Sequence, residues 1–225
     1  MKFSAFDLVM FDLDGTLIDT LPDIVEALDG AFGSHGLPAP GMERARLWVG
    51  NGSKRLLRRA LAVHLECEEA EVPAALYDDV EAAFFDNYAS SSHRQGALYP
   101  GVQKTLAHLE ASGTPMAVVT NKPGRFTGSV LGAYGIAAHF SLVLSGDSLA
   151  ACKPDPEPLH HVMRVLDCEP QRALMIGDSR NDVLAARAAM VPVVCVDYGY
   201  NYGESVHDLD ANMVVGDIST LIENG

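Results

Sequence analysis

Apolar residues in this chain fall into short continuous runs, each closed by acidic, hydroxyl or glycine residues. Ala5 to Phe11 runs into Asp12-Leu13-Asp14-Gly15, and Met116 to Thr120 into Asn-Lys-Pro-Gly. Ala173 to Ile176 meets Gly177-Asp178, and Val191 to Val196, with Pro192 near its start, meets Asp197. Leu142 to Leu144, a weaker run, ends at Ser145-Gly146-Asp147. Runs of this length without polar alternation predict strands buried on both faces. Helix-period segments separate them: 102–112, with Leu106 and Leu109 on one side and Gly113 as the stop, then 126–134, 158–167 and 182–190. Strand, loop and helix repeated in this way predict an α/β fold, a Rossmann-like parallel sheet with crossover helices. In such a sheet ligands bind beyond the carboxyl ends of the strands, where all of these polar clusters fall.

Residues 22–95 break the pattern. They lack a strand signal, are rich in Ala, Leu and Glu, and predict helices over 23–32, 53–65 and 73–89. The expected organisation is a discontinuous catalytic core, residues 1–18 and 96–225, carrying an inserted helical cap over residues 19–95. Ser90-Ser91-Ser92-His93 and Tyr99-Pro100-Gly101 read as the return hinge.

Composition narrows the function classes. The 225 residues suit one medium domain, or one with an insert. The net charge of −14 disfavours nucleic acid and anionic membrane as partners, so an anionic substrate requires a cation and placed basic groups. The four cysteines form no Cys-x-x-Cys pair, which argues against zinc or redox motifs and fits free thiols in a reducing compartment. The N-terminus resembles neither a signal peptide nor a membrane span, so a cytoplasmic location is expected.

The chemistry centres on Asp12 and Asp14. Two residues apart in extended backbone, they face one side and repel, which a divalent cation would relieve. Magnesium suits such a site, taking one or two carboxylates and a phosphate oxygen. Gly15 permits a tight turn, and the Thr16 hydroxyl is a candidate for binding phosphate oxygens or capping the next segment. Taken alone, any Asp-x-Asp is equally well a strand end with an Asx turn.

Phe-Asp-Leu-Asp-Gly-Thr-Leu-Ile-Asp-Thr resembles the first motif of the haloacid dehalogenase superfamily. Thr120 in Val-Val-Thr-Asn-Lys-Pro matches the second motif, Lys153 in Cys-Lys-Pro-Asp-Pro the third, and Asp178 and Asp182 in Gly-Asp-Ser-Arg-Asn-Asp the fourth. The resemblance implies an Asp12 nucleophile forming an aspartyl-phosphate and an Asp14 general acid and base. It implies that Thr120 and the Asn121 amide bind a phosphoryl oxygen while Lys153 stabilises charge. Asp12, Asp14 and Asp178 are expected around Mg²⁺, with Asp182 orienting a metal water or Lys153. Aspartate at position 14 points to phosphatases and phosphomutases rather than dehalogenases or ion pumps.

Substrate choice is expected to lie in the cap. In Trp48-Val49-Gly50-Asn51-Gly52 the glycines would let backbone approach a ligand, with Arg44, Asn51 and Gly52 as candidates for substrate binding; equally, the segment reads as a helix–helix turn with Trp48 packed inside. His160-His161 read as helix surface. Gly-Asp-Ser-Arg-Asn-Asp, Thr-Asn-Lys-Pro, Trp-Val-Gly-Asn-Gly and Tyr198-Gly-Tyr-Asn-Tyr-Gly203 together look like the bacterial phosphoglycolate phosphatases, which implies a small phosphorylated metabolite as partner and a monomer or small homo-oligomer. A sugar phosphomutase, another small-molecule phosphatase, or a non-catalytic scaffold are the competing readings; the scaffold predicts a damaged motif, and none is damaged.

Overall fold

The computed structural model describes residues 1–223 apart from 92 and 94. Its core is a six-stranded sheet of β1 (Leu8–Phe11), β4 (Met116–Val119), β5 (Leu142–Leu144), β6 (Ala173–Gly177), β7 (Val193–Val196) and β8 (Met213–Val215), in the order β5-β4-β1-β6-β7-β8. Every pairing is parallel, with Val9 opposite Met116 on one side and Leu174 on the other. The chain passes from β1 outward to β4 and β5, then returns to the other flank of β1 for β6. That reversal places the topological switch point at the carboxyl end of β1.

Alternation along the strands divides the core. Val9, Phe11, Val118, Leu174, Ile176 and Val194 face the layer that includes α5 (Val102–Ala111) and α6 (Gly124–Ala133). Leu8, Met10, Ala117, Val119, Met175 and Cys195 face α7 (Glu157–Val165) and α8 (Arg180–Ala188). Because both faces are covered, both sets of side chains are apolar, which is why the strands read as unbroken runs.

Among the described residues, four α-helices lie between β1 and α5: α1 (Leu21–Ser34), α2 (Met42–Arg46), α3 (Ser53–Leu65) and α4 (Ala74–Ser90). Tyr77, Val80, Phe84 and Tyr88 repeat at helical spacing on α4 and are buried, as are Ile24, Leu28, Ala31 and Phe32 on α1, against which α4 packs. A two-stranded antiparallel ribbon, β2 (Ile18–Asp19) with β3 (Ala97–Leu98), ties the outgoing and returning chain together at the root of these helices. The buried Asp23 carboxylate adds to the tie by accepting the Gln95 and Gly96 amides, both at 3.4 Å. Of the expected hinge residues, Ser92 lies outside the described residues.

Sequence and structure differ at the edges. The first strand begins at Leu8 because residues 3–5 form a 3-10 turn, and β7 begins after Pro192, which has no N–H to give the ladder. Neither the ribbon, β8 nor α2 carries enough periodic residues to be read in advance.

Candidate active site

β1 ends at Phe11, and Asp12 and Asp14, just past it, both line one cavity. Each meets a different lysine. Lys153 Nζ lies 3.0 Å from Asp12 Oδ1, and Lys122 Nζ lies 3.1 and 3.3 Å from the two Asp14 oxygens. Both lysines are buried, and the acids opposite hold their ammonium groups charged, outweighing the burial that favours the neutral amine. Thr20 Oγ1 also donates to Asp14 Oδ1, at 2.6 Å.

Asp178 follows β6, on the neighbouring strand. Burial pushes its carboxyl well above the usual carboxylate range, with Asp12 and Asp182 adding repulsion. Burial likewise pushes Asp12 up to about 7, against the pull of Lys153. Oxygens of Asp12, Asp178 and Asp182 lie within 4.8 Å of one another, and Asp12 Oδ1 accepts no well-directed hydrogen bond among the described residues. Three buried carboxylates around one point, two of them resisting ionisation, are a donor set suited to a hard divalent cation. Asp182 is already engaged, its Oδ1 accepting from Lys153 at 2.5 Å and its Oδ2 from the Ser179 amide and hydroxyl at 3.1 and 2.8 Å. Among the described residues Asp178 instead meets only neutral donors, the Thr16 hydroxyl and the Tyr200 amide, and Asp12 keeps an oxygen without a well-directed bond, so these two are the better placed to take a cation. Asp14 is not in this group: contrary to expectation, its carboxylate is held by Lys122 and Thr20.

Thr120 follows β4 and lines a cavity with Asp12 and Asp14. Its Oγ1 accepts the Lys122 amide at 3.2 Å, which leaves its O–H to donate. Asn121 lines the same cavity, its side-chain amide donating to the carbonyls of Gly50 at 3.2 Å and Lys153 at 2.9 Å. Thr16 does not reach the cavity. It is fully buried, and its hydroxyl donates to Asp178 Oδ1 at 3.3 Å.

Val49, Gly50, Gly52, Ser53 and Leu56 close the cavity from α3 and the loop before it, while Phe84 and Tyr88 close it from α4. Gly52, at φ +78°, precedes the first turn of α3 and lines the wall. Arg44 and Asn51 do not line it. Arg44 is on the exposed side of α2, whose buried position is Ala45, and Asn51 is half-buried beside the wall rather than in it. Trp48 packs against the apolar core, so the segment is partly a packed turn and partly, through its glycines, a wall of the cavity.

Two features escaped the sequence. Lys122 gave no signal beyond being a basic residue after Thr120-Asn121. The 198–203 segment proves to be a clamp on Asp178. The Tyr200 amide donates to Asp178 Oδ2 at 2.7 Å, the Tyr198 hydroxyl to the Thr16 carbonyl at 2.9 Å, and the Tyr200 hydroxyl to Asp19. Clearance is minimal. A Cβ on Gly199 would lie 2.3 Å from Asp178, as would one on Gly15, which also takes φ +86°. The segment also reaches the Gly50 loop: Asn181 Nδ2 donates to the Gly50 carbonyl at 3.0 Å and to the Tyr202 hydroxyl at 2.8 Å.

A parallel α/β sheet thus brings acids, a hydroxyl and a lysine together at its switch point, an arrangement suited to phosphoryl transfer, and the chain belongs to the haloacid dehalogenase-like hydrolase family, whose model matches residues 9–196. Within that family it is 44% identical over 218 residues to phosphoglycolate phosphatase 1 of Pseudomonas aeruginosa, covering 96% of this chain and 78% of that one. It is 42% identical over 216 residues to the phosphoglycolate phosphatase of Psychrobacter arcticus, covering 96% and 94%. Among solved structures, a predicted phosphoglycolate phosphatase from Haemophilus somnus superposes with a TM-score of 0.90 at 34% identity, covering 96% of each chain. The chain is a phosphatase of this family, and its substrate is a small phosphorylated molecule.

Proposed function

We propose that this enzyme hydrolyses 2-phosphoglycolate to glycolate and phosphate with Mg²⁺ as its metal. The observation that carries the chemistry is Asp12, at the switch point, with Lys153 and Asp178 around it; relatives at 40–45% identity named for this reaction support the substrate.

Asp12 attacks phosphorus in line, forming a carboxylate–phosphorus bond as the bond to the glycolate oxygen breaks. Asp14 gives its proton to that oxygen. In the second half, Asp14 takes a proton from water as the water oxygen bonds phosphorus and Asp12 leaves, giving inorganic phosphate. Lys153, positioned by Asp182, and the Thr120 hydroxyl stabilise charge on the phosphoryl oxygens. Asp12 and Asp178 would hold the cation, which supplies charge neutralisation for the anionic phosphoryl group. Residues 19–95 act as a cap that excludes water from the intermediate. The free thiols support a cytoplasmic location, and no helix among the described residues is long and apolar enough to cross a membrane.

The deciding experiment is phosphate release across small phosphate esters, comparing kcat/KM. A leading value for 2-phosphoglycolate supports the reading. A higher value for a sugar phosphate or nucleotide, or isomerisation of a sugar phosphate, overturns it.

A further inference from the structure

The proposed substrate carries a second charge, a carboxylate one methylene from the ester oxygen. Moving a carboxylate out of water without a partner is costly, so the cavity must offer it a cation or strong donors. Among the described residues that line the cavity, Lys122 is the one Lys or Arg. Lys153 is committed to Asp12 and Asp182, and Arg44 is on the outside.

Lys122 has company. Its Nζ lies 4.7 Å from the centre of the Tyr88 ring, which also lines the cavity. Tyr88 is 2% exposed, and its hydroxyl has no hydrogen-bond partner among the described residues. Lysine is purely a donor, so proximity to Lys122 leaves the Tyr88 O–H without an acceptor. A buried hydroxyl without an acceptor is costly in a folded protein unless a ligand or an ordered water completes it. Across the cavity, Gly52 and Ser53 open the 13-residue helix α3, which has no side-chain cap and no acid in its first turn. Its free amides and dipole add to the positive wall.

We propose that Lys122 and Tyr88 form the carboxylate subsite of this enzyme, resting on the reading of 2-phosphoglycolate as substrate. Lys122 comes from the loop after β4 and Tyr88 from α4, so the subsite exists only with the intervening helices in place over the sheet. The subsite also couples recognition to chemistry. Lys122 now holds both oxygens of Asp14. A substrate carboxylate takes over that ammonium and the Tyr88 hydroxyl, and leaves Asp14 on Thr20, free to turn to the ester oxygen. An ester without a carboxylate leaves Asp14 bound to Lys122.

The test compares kcat and KM for 2-phosphoglycolate and ethyl phosphate, which keeps the ester and drops the carboxylate, in wild type, Lys122→Met and Tyr88→Phe. The subsite predicts that Lys122→Met lowers kcat/KM for 2-phosphoglycolate at least ~30-fold more than for ethyl phosphate, the loss expected for one partner of a buried charge pair. Tyr88→Phe, which keeps the ring, gives a smaller loss that is greater for 2-phosphoglycolate than for ethyl phosphate. Equal losses on both substrates in Lys122→Met, or a wild-type preference retained in Lys122→Met, overturn the subsite alone. Should Lys122→Met not fold, Tyr88→Phe decides: unchanged selectivity overturns the subsite. A wild-type enzyme with no preference for 2-phosphoglycolate overturns the substrate reading and the subsite with it.

Discussion

The ammonium of Lys153 donates to Asp182 Oδ1 at 2.5 Å, and both side chains are buried, Asp182 completely. Asp182 therefore aims the lysine at Asp12 while its other oxygen closes the first turn of α8 through Ser179. Asp182→Asn should keep substrate binding near normal and lower kcat roughly 10- to 100-fold, the usual cost of losing a supporting partner. It should also destabilise the fold, by less than the roughly 3–5 kcal/mol of a fully broken buried pair, because Lys153 keeps Asp12 as a partner. Steady-state kinetics and urea unfolding of the same variant check both halves; an unchanged kcat would remove the aiming role.

Asp12→Asn should abolish turnover, by ~10⁴-fold or more, and yet stabilise the metal-free protein at alkaline pH. The folded-state pKa of Asp12 is raised from 3.8 to about 7 by burial. The folded state then holds the proton more tightly than the unfolded state. The ionised acid thus opposes folding, with a cost that grows as pH rises from about 4 to about 7 and is complete above that. Asparagine removes this cost, so the melting temperature of the variant should exceed that of wild type above pH 7, with the gap closing below pH 4. Thermal unfolding in chelator across that range tests the sign.

Magnesium should stabilise the wild-type protein by mass action, and more at pH 8 than at pH 5, since Asp12 and Asp178 must give up the protons that burial lets them keep. Excess chelator should stop phosphate release and added Mg²⁺ restore it. Equal thermal shifts at the two pH values would place the cation elsewhere.

Gly199→Ala should damage the site through space alone, because the added Cβ would lie 2.3 Å from Asp178. A destabilisation of about 1–3 kcal/mol is expected, together with weaker Mg²⁺ binding by calorimetry. Gly128→Ala is the matched contrast. Nothing lies within 4 Å of its added Cβ, and it falls inside α6, so a gain of about 0.5–1 kcal/mol with unchanged kinetics is expected.

The parallel sheet was legible from residue order because strands buried on both faces must be apolar throughout, and β1, β4, β6 and β7 are. Asp12, Thr120 and Asp178 could be placed with them, since a polar residue closing such a run has to emerge at the strand end. Two-residue ribbon strands and the five-residue α2 carry too little periodicity to be read. Partners joined over long separations were equally invisible: Lys122 to Asp14 across 108 residues, and Tyr200 to Asp178 across 22. Arg44 and Asn51 looked suitable by residue type, but the facing of a short helix and a glycine-rich loop depends on what they pack against. By itself, then, the sequence determined the central strands of the sheet, the order of their strand-end residues and the kind of chemistry they suit, because each is a local property of a run and its terminus. Tertiary structure alone decided which lysine meets which acid, that Thr16 serves Asp178, and that a tyrosine clamp holds the site, because those depend on which loops the sheet brings to one edge.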